Sequence, residues 1–194
     1  MRIVILSRHG ESQLNVAGRV NADPARDPGL TPRGEEQARA LGRQIAGLEI
    51  GLVVTSRFPR AQSTARLALE GRDVPHVVDR ELDDVRIGEL EGQTIAEYRA
   101  WKSQSARGQP FPGGETLDDA ARRFARSFAA LLDRPERAIL VVCHEIPVRY
   151  AINAATGSET LDGPVHDVPN ALPFVFDERG LAAAVAGIDR LVPG

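Results

Sequence analysis

The amino-acid sequence predicts an α/β fold, a three-layer α/β/α sandwich around a mostly parallel central sheet. Largely apolar runs at 3–6, 52–55 and 138–143 do not alternate with polar residues, as expected for strands that are buried on both faces. Segments with apolar residues at helical spacing separate these runs. Strands that alternate with helices favour a parallel sheet with right-handed crossovers, so helices should cover both of its faces.

Length and composition favour a single domain covering residues 1–194. With 194 residues, of which 42% are hydrophobic, the chain can bury a sizeable core, and no stretch has the composition of a linker. The net charge of −3 argues against nucleic acid or an anionic membrane as a partner. Any anion site must therefore be local.

The single cysteine and the absence of long apolar stretches predict a cytoplasmic protein. Cys143 lies within an apolar run, where it should pack as a small core residue rather than act as a nucleophile. One cysteine excludes an intramolecular disulfide, which agrees with a reducing compartment. No stretch reaches the length of a signal-peptide core or of a membrane span.

The first half of the chain predicts a loop, two helices and a third strand. Residues 11–29 are polar and contain glycine, which indicates an irregular loop long enough to fold over a site. Thr31 and Pro32 fit the N-cap and the first position of a helix. Pro59 opens the next helix, and residues 76–78 form the predicted third strand.

An acidic loop and two helices follow. Glycines punctuate residues 81–92, which predicts a loop with fixed turns. A polar helix is expected over about 94–107, anchored by Tyr98 and Trp101. Thr116 then caps a helix whose apolar residues recur at steps of four and three, so this helix should face the core.

After the strand at 138–143, the sequence predicts one more helix and a late strand pair. Pro147 is expected to open a helix that runs to about Ala155. Residues 174–176 and 181–188 indicate a hairpin or a pair of edge strands.

Four groups that are or can become cationic should meet at the carboxyl edge of the sheet. His9 and His144 directly follow predicted strands, and Arg60 lies in the first turn of a helix after another strand. Ligands bind at this edge in parallel sheets, so the three side chains should converge there with Arg8. Like charges about 4 Å apart repel by about 4 kcal/mol per pair at an effective dielectric constant of about 20. A bound anion would offset this repulsion, and a phosphoryl group fits.

Several motifs of the chain resemble those of a known family, in the same order. The run Arg8-His9-Gly10-Glu11-Ser12, with Asn15, resembles the opening motif of the histidine phosphatase superfamily, in its phosphoglycerate mutase-like branch. Later family motifs are similar to Leu30-Thr31 with Gly34, Gln37 and Ala38, to Arg60-Ala61 with Thr64-Ala65, to 112–115 and to His144. The resemblance covers nearly the whole chain and implies a histidine phosphatase-like fold with phosphatase activity.

His9 is the predicted nucleophile. A histidine can be neutral near pH 7, so one ring nitrogen can attack phosphorus and form a phosphohistidine, while the other should donate to a backbone carbonyl. Arg8, Arg60 and His144 would neutralise the equatorial oxygens as charge spreads over them. No cofactor is implied, and no histidine pair has the spacing of a metal site.

A proton donor for the leaving alkoxide is expected in the acidic loop. The family's Leu-x-Glu pattern falls on Leu82-Asp83-Asp84, which makes Asp84 the predicted general acid and base. Aspartate is one methylene shorter than the family's glutamate, so it must approach more closely or act through water. Glu81, Asp83 and Glu89 remain open as alternatives.

Four further residues are candidates for binding the substrate. The resemblance implies that Ser12 and Asn15 donate to phosphate oxygens, and Arg57 is a second candidate phosphate ligand. Glu145 follows His144 at a position where the family usually has glycine. Two interpretations are open: its carboxylate caps the helix start, or it narrows the pocket and disfavours substrates with a second anionic group.

These features predict a phosphomonoester hydrolase whose partner is a small phosphate ester. One alternative is a cofactor-dependent phosphoglycerate mutase, which shares the catalytic parts but resembles a longer chain with insertions that retain the phosphorylated substrate. Another is a non-catalytic module that binds a phosphorylated ligand and has lost its acid.

Overall fold

The central sheet of the described chain has five strands, four of which run parallel. The computed structural model describes residues 2–192. The strands are β1 (Ile3–Arg8), β2 (Leu52–Thr55), β3 (His76–Val78), β4 (Ala138–Cys143) and β5 (Phe174–Asp177), in the spatial order β3-β2-β4-β1-β5. β5 pairs antiparallel with β1 at one edge. A single domain over 1–194 stays a prediction, and its ends at Met1, Pro193 and Gly194 lie outside the described residues.

Seven α-helices connect or flank these strands in residues 2–192. They are α1 (Gln13–Val16), α2 (Pro32–Gln44), α3 (Pro59–Ala68), α4 (Ile95–Ser103), α5 (Leu117–Leu132), α6 (Glu145–Ala155) and α7 (Glu178–Leu191). Short 3₁₀ helices lie at Pro24–Arg26, Arg80–Leu82 and Gly88–Leu90. Within the described chain, none of the helices combines the length and the apolar character needed to cross a membrane.

The side chains of the strands alternate between two hydrophobic cores. Val4 and Leu6 of β1 belong to the core shared with α5, α6 and α7, whereas Ile5 belongs to the core shared with α2 and α3. All three side chains are at most 3% exposed. Helices therefore cover both faces of a mostly parallel sheet, which confirms the predicted three-layer α/β/α sandwich.

The predicted helix starts are set by side-chain caps and prolines. The Thr31 hydroxyl accepts from the Gly34 amide at 3.0 Å, and α2 begins at Pro32, which occupies the first turn. Thr116 accepts from the Asp119 amide at 2.8 Å at the start of α5. These contacts satisfy amides that have no partner within the helix. The predicted starts of α2, α3 and α5 are confirmed.

The expectation of an irregular loop over 11–29 is wrong in part. Ser12 and Asn15 cap each other's backbone: the Asn15 amide donates to the Ser12 hydroxyl at 3.2 Å, and the Ser12 amide donates to the Asn15 amide oxygen at 3.0 Å. The Asp23 carboxylate begins a 3₁₀ turn in the same way. Local capping contacts start single helical turns here, and no apolar stripe in the sequence predicts these turns.

The expectation of a strand over 181–188 is wrong, because these residues lie within α7. The Asp177 carboxylate caps this helix by accepting from the Gly180 amide at 2.7 Å. Leu181, Ala184 and Ile188 share one fully buried face. Their spacing of three and four residues is helical, so only β5 remains of the predicted strand pair.

Two other helix boundaries also differ from the sequence expectation. α6 begins at Glu145 rather than at Pro147. Amides in the first turn of a helix have no partner within the helix, so Pro147, which lacks an amide hydrogen, fits there without the loss of a hydrogen bond. α4 ends at Ser103, well before residue 107. There the Ser103 and Ser105 hydroxyls donate to carbonyls of the last turn at 2.9 Å each, which satisfies groups that a longer helix would have paired.

Candidate active site

The predicted cationic groups meet at the carboxyl edge of the sheet. The Arg60 guanidinium donates from Nε to His9 Nε2 at 3.0 Å and lies 3.3 Å from His144 Nδ1 through Nη2. The two imidazole rings are 5.4 Å apart between centroids. His9, Arg60 and His144 are at most 4% exposed. The three side chains thus meet at one buried point, because two of them follow the ends of β1 and β4 and the third lies in the first turn of α3.

His9 is held as a neutral imidazole in one tautomer. Its Nδ1 lies 2.7 Å from the Gly10 carbonyl, so this nitrogen carries the proton and donates it. Its Nε2, facing the Arg60 guanidinium, is then the acceptor. Burial lowers the pKa of His9 well below its usual value, and the positive charges of Arg60 and Arg8 lower it further. Nε2 is therefore the ring nitrogen that can act as the nucleophile, once its hydrogen bond from Arg60 is given up to a bound phosphoryl group.

The loop before α2 fixes the Arg60 guanidinium. Asn21 accepts hydrogen bonds from Arg60 through its side-chain and backbone oxygens. The Asp27 carboxylate accepts from the Arg60 amide at 2.9 Å and lies 3.6 Å from its guanidinium. Sequence reasoning did not identify Asn21 or Asp27. Their only signal was membership of a polar loop long enough to cover the site.

His144 is fully buried and is also neutral. Its Nδ1 faces the Arg60 guanidinium, so its proton is on Nε2 and is donated to the Ser56 hydroxyl at 2.9 Å. Burial lowers the pKa of His144 well below its usual value, and Arg60 and His9 add to that shift. The neutrality of both histidines thus removes most of the repulsion expected between four cations.

Asp84 is the carboxylate of the acidic loop that reaches the site. Its Oδ2 lies 3.7 Å from Arg60 Nη2 and 3.6 Å from His144 Nδ1, while its Oδ1 accepts from the Val85 amide at 2.9 Å. Burial raises the pKa of the Asp84 carboxyl, and the Arg60 charge opposes that rise. A carboxyl with a raised pKa is suited to donate a proton.

The other candidate acids are occupied elsewhere or lie outside the cleft. Asp83 accepts from Arg57, with a closest side-chain distance of 2.5 Å, and Glu81 pairs with Arg126 at 2.6 Å. Glu89 is exposed and does not line the cleft. Arg57, the second candidate phosphate ligand, also lies outside the cleft, and the structure does not bring it to His9.

Arg8 and Glu145 form the adjoining wall. Arg8 Nη1 donates to the Val168 carbonyl at 2.8 Å and lies 3.0 Å from the Glu145 carboxylate. The other Glu145 oxygen lies 3.5 Å from Arg149. Burial raises the pKa of Glu145, and Arg8 opposes the rise. Glu145 is thus a cleft residue placed between two arginines.

Arg8, His9, Arg60, Asp84 and Glu145 line one open cleft with a cavity volume of about 310 Å³, whereas the fully buried His144 contacts Arg60 without lining the cleft. We call His9, Arg60, Asp84 and His144 the inner end. The outer end is formed by four cations, Arg19, Arg99, Lys102 and Arg149. Ser12 and Asn15 also line the cleft, where the Ser12 hydroxyl can still donate because it serves α1 only as an acceptor. Sequence reasoning missed the outer cations as site residues, since none follows a strand.

Comparison with known proteins places these residues in a family context. The model of the histidine phosphatase superfamily (branch 1) matches residues 4–177. A 2,3-bisphosphoglycerate-dependent phosphoglycerate mutase of a Methylobacterium species is 32% identical over 191 residues, with 90% of each chain covered. The 2,3-bisphosphoglycerate-dependent phosphoglycerate mutase 2 of Gloeobacter violaceus is 38% identical over 140 residues, 66% of this chain but only 62% of that relative. The alpha-ribazole phosphatase from Shigella flexneri is 29% identical over 90% of both chains, with a TM-score of 0.77.

The family match includes every residue of the inner end. It runs from β1, which is directly followed by His9, past Arg60 and Asp84 to His144 and on to β5. The family resemblance read from the sequence and the phosphatase class of enzyme are confirmed. The chain belongs to the histidine phosphatase superfamily, branch 1.

Proposed function

We propose that the protein hydrolyses phosphate monoesters through a phosphohistidine intermediate on His9. The observation that carries the proposal is the convergence of neutral His9, the Arg60 guanidinium and the Asp84 carboxyl at the inner end of one open cleft. An imidazole whose Nδ1 is tied to a carbonyl can attack through Nε2. The guanidinium beside it can hold the phosphoryl oxygens during that attack.

In the first step, His9 Nε2 forms a bond to phosphorus while the bond from phosphorus to the ester oxygen breaks. Asp84 donates its proton to that oxygen, which leaves as an alcohol. The proton transfer avoids a free alkoxide, and general acid catalysis of this kind contributes about 10²- to 10⁴-fold in rate. The shorter aspartate serves because its carboxyl already lies 3.7 Å from the guanidinium that would hold the phosphoryl group.

In the second step, water attacks the phosphohistidine. Asp84, now ionised, accepts a proton from the water, the bond from nitrogen to phosphorus breaks, and phosphate leaves with its charge balanced by the arginines. The cleft is open to solvent, which gives water access to the intermediate. This access favours hydrolysis over transfer of the phosphoryl group to a second substrate.

Arg8, Arg60 and His144 are the proposed ligands of the phosphoryl oxygens, together with Ser12 and Asn15. The two arginines are permanent cations. His144 is neutral beside the Arg60 guanidinium, but a phosphate dianion raises the pKa of a nearby imidazole and favours its protonation. His144 would then act as a donor only while the anion is bound.

A phosphoglycerate mutase is the second candidate. The outer end of the cleft carries four cations that could bind the carboxylate of a phosphoglycerate. Two relatives with similar sequences are named as mutases. A mutase would return the phosphoryl group from His9 to a glycerate phosphate rather than to water. A binding module without catalysis is disfavoured by the position of Asp84 beside Arg60.

Phosphate release from p-nitrophenyl phosphate and a panel of alkyl phosphates tests the proposal. We expect the His9→Ala variant to lose release from every ester and the Asp84→Asn variant to lose most of it. His76→Ala is the matched control, since His76 bonds to Thr55 outside the cleft. Release that survives in His9→Ala would overturn the mechanism. Transfer to glycerate phosphates that exceeds release would favour the mutase.

The family acts on small phosphate esters, and we propose such an ester as the partner of this chain. We expect no nucleic acid or membrane partner, because the net charge is −3 and the cations of the cleft are local. A cytoplasmic location stays a proposal that rests on the buried, unpaired Cys143. Burial raises the pKa of the Cys143 thiol to about 12, as expected for a core residue rather than a nucleophile.

A further inference from the structure

Arg123 on α5 lies behind the acidic loop and is 4% exposed. Its guanidinium donates to three backbone carbonyls of that loop: to Glu81 at 2.8 Å, to Asp83 at 2.5 Å and to Asp84 at 2.8 Å. It does not line the cleft. Arg123 therefore touches the backbone that carries the proposed acid without reaching the substrate.

Glu115 holds the same guanidinium from the other side. Both of its carboxylate oxygens accept from Arg123, the closest at 2.6 Å. Glu115 also accepts from the Arg86 amide at 2.9 Å, and its own amide donates to the Arg86 carbonyl at 2.9 Å. The pair thus brackets Asp84, with Arg123 on the carbonyls up to Asp84 and Glu115 on the backbone of Arg86.

The acid itself has little local support. The segment from Asp83 to Arg86 is neither helix nor strand. The Asp84 carboxyl accepts one short hydrogen bond, from the neighbouring Val85 amide. An aspartate has a short side chain, so the position of its carboxyl depends on the position of its backbone. Three side-chain atoms of the Arg123–Glu115 pair bond directly to the backbone of this region: Nη1 and Nη2 of Arg123 and Oε1 of Glu115.

We propose that Arg123, braced by Glu115, is the positioning residue that places Asp84 for proton transfer. The proposal rests on the proposed function of Asp84 as the acid. Arg123 acts through the loop backbone and contacts neither substrate nor phosphoryl group. A bound guanidinium reaches all three carbonyls because its donors form a planar fork, which an ammonium group does not reproduce.

The test compares Arg123→Lys with Arg126→Lys on esters that differ in their need for an acid. Arg126 lies on the same helix and contacts the same loop, but its side chain is exposed and bonds only to the Glu81 side chain. The ester pair is p-nitrophenyl phosphate, whose phenolate leaves without protonation, and ethyl phosphate, whose alkoxide needs a proton. The measured quantity is the ratio of kcat/KM between the two esters.

We expect Arg123→Lys to lower kcat/KM for ethyl phosphate at least about tenfold more than for p-nitrophenyl phosphate, since misplacement removes part of the acid contribution. Arg126→Lys should leave the ratio unchanged. Glu115→Gln keeps the volume of the side chain, and we expect it to shift the ratio in the same direction as Arg123→Lys. Thermal unfolding of each variant shows whether it is folded, and Glu115→Gln supplies the test if Arg123→Lys is not.

An equal loss on both esters, or an unchanged ratio in the folded variants, would overturn the positioning role. Asp84→Asn separates this failure from failure of the proposed function. If Asp84→Asn shifts the ratio while Arg123→Lys and Glu115→Gln do not, only the positioning role is wrong. If Asp84→Asn leaves the ratio unchanged, Asp84 is not the acid and both proposals fail.

Discussion

The inner and outer ends of the cleft hold their charges in different ways. Arg60, at the inner end, is 4% exposed and is bonded to His9, Asn21 and Asp27 from other parts of the chain. Arg99, at the outer end, is exposed on the short helix α4. Breaking a buried ion pair costs about 3–5 kcal/mol, whereas an exposed pair is worth about 0–1 kcal/mol. The inner end is therefore fixed by the fold, whereas the exposed cations of the outer end, Arg19 and Arg99, can change at little cost in stability; Arg149, 7% exposed and paired with Asp162, is the exception.

This difference assigns separate tasks to the two ends. Burial at the inner end shifts the pKa values of both histidines downward and that of Asp84 upward, which prepares the protonation states that the reaction needs. The cations at the outer end can bind the alcohol portion of the ester, which leaves in the first step. We expect changes at the inner end to alter catalysis, and changes at the outer end to alter the choice of substrate.

The largest effect should appear in the pH dependence of the inner end. Attack requires neutral His9 and protonated Asp84. As pH falls from the alkaline side, more Asp84 is protonated because its pKa is raised, while His9 stays neutral because its pKa is lowered. kcat/KM for ethyl phosphate should therefore rise toward an optimum on the acid side of neutrality, by up to about tenfold per pH unit along the alkaline limb.

Asp84→Asn isolates the contribution of that group to the profile. In Asp84→Asn, the decline of kcat/KM toward alkaline pH should no longer include the ionisation of Asp84. Only the ionisation of the substrate phosphate, which affects the variant and the wild-type enzyme alike, should remain. If kcat/KM of the variant declines with pH as steeply as that of the wild-type enzyme, the acid is another group. The assignment of catalysis to the inner end would then lose its main support.

A smaller effect is expected at the boundary between the ends. Glu145 lies 3.0 Å from Arg8 and 3.5 Å from Arg149, where a second anionic group of a substrate could bind. Glu145→Gln removes the competing charge. We expect kcat/KM for 3-phosphoglycerate, relative to glycerol 3-phosphate, to rise about tenfold, which is the scale of one charge-assisted hydrogen bond.

The two esters differ by a carboxylate, so their ratio cancels general effects on catalysis. Glu35→Gln is the control, because Glu35 is an exposed residue of α2 that does not line the cleft. An unchanged ratio in Glu145→Gln would show that Glu145 acts only at the helix start and has no part in selecting substrates.

The sequence predicts the inner end well because its residues are tied to local signals. His9 and His144 follow apolar strands, Arg60 follows a helix-opening proline, and the structure brings all three together. The carboxyl ends of parallel strands must share an edge, so the positions along the chain largely determine their convergence. Asp84 was identified by family resemblance alone, since nothing in an acidic loop distinguishes one carboxylate from its neighbours.

The supporting residues could not be predicted, because their contacts span long distances in sequence. Arg123 meets a loop about 40 residues earlier, and Asn21 meets Arg60 39 residues later. Neither carries a periodic or capping signal. The wrong strand over 181–188 has another cause: Asp177 both ends β5 and caps α7, so no loop in the sequence separates the strand from the helix.

The most direct test of the account is to trap the phosphoenzyme in Asp84→Asn. p-Nitrophenolate leaves without an acid, so this variant should still transfer its phosphoryl group to His9, whereas breakdown of the intermediate lacks its base. Acid-labile, base-stable phosphate should accumulate toward one per chain after incubation with p-nitrophenyl phosphate, and mass spectrometry should locate it on His9. No stable label, or label on a residue other than His9, would contradict the central claim.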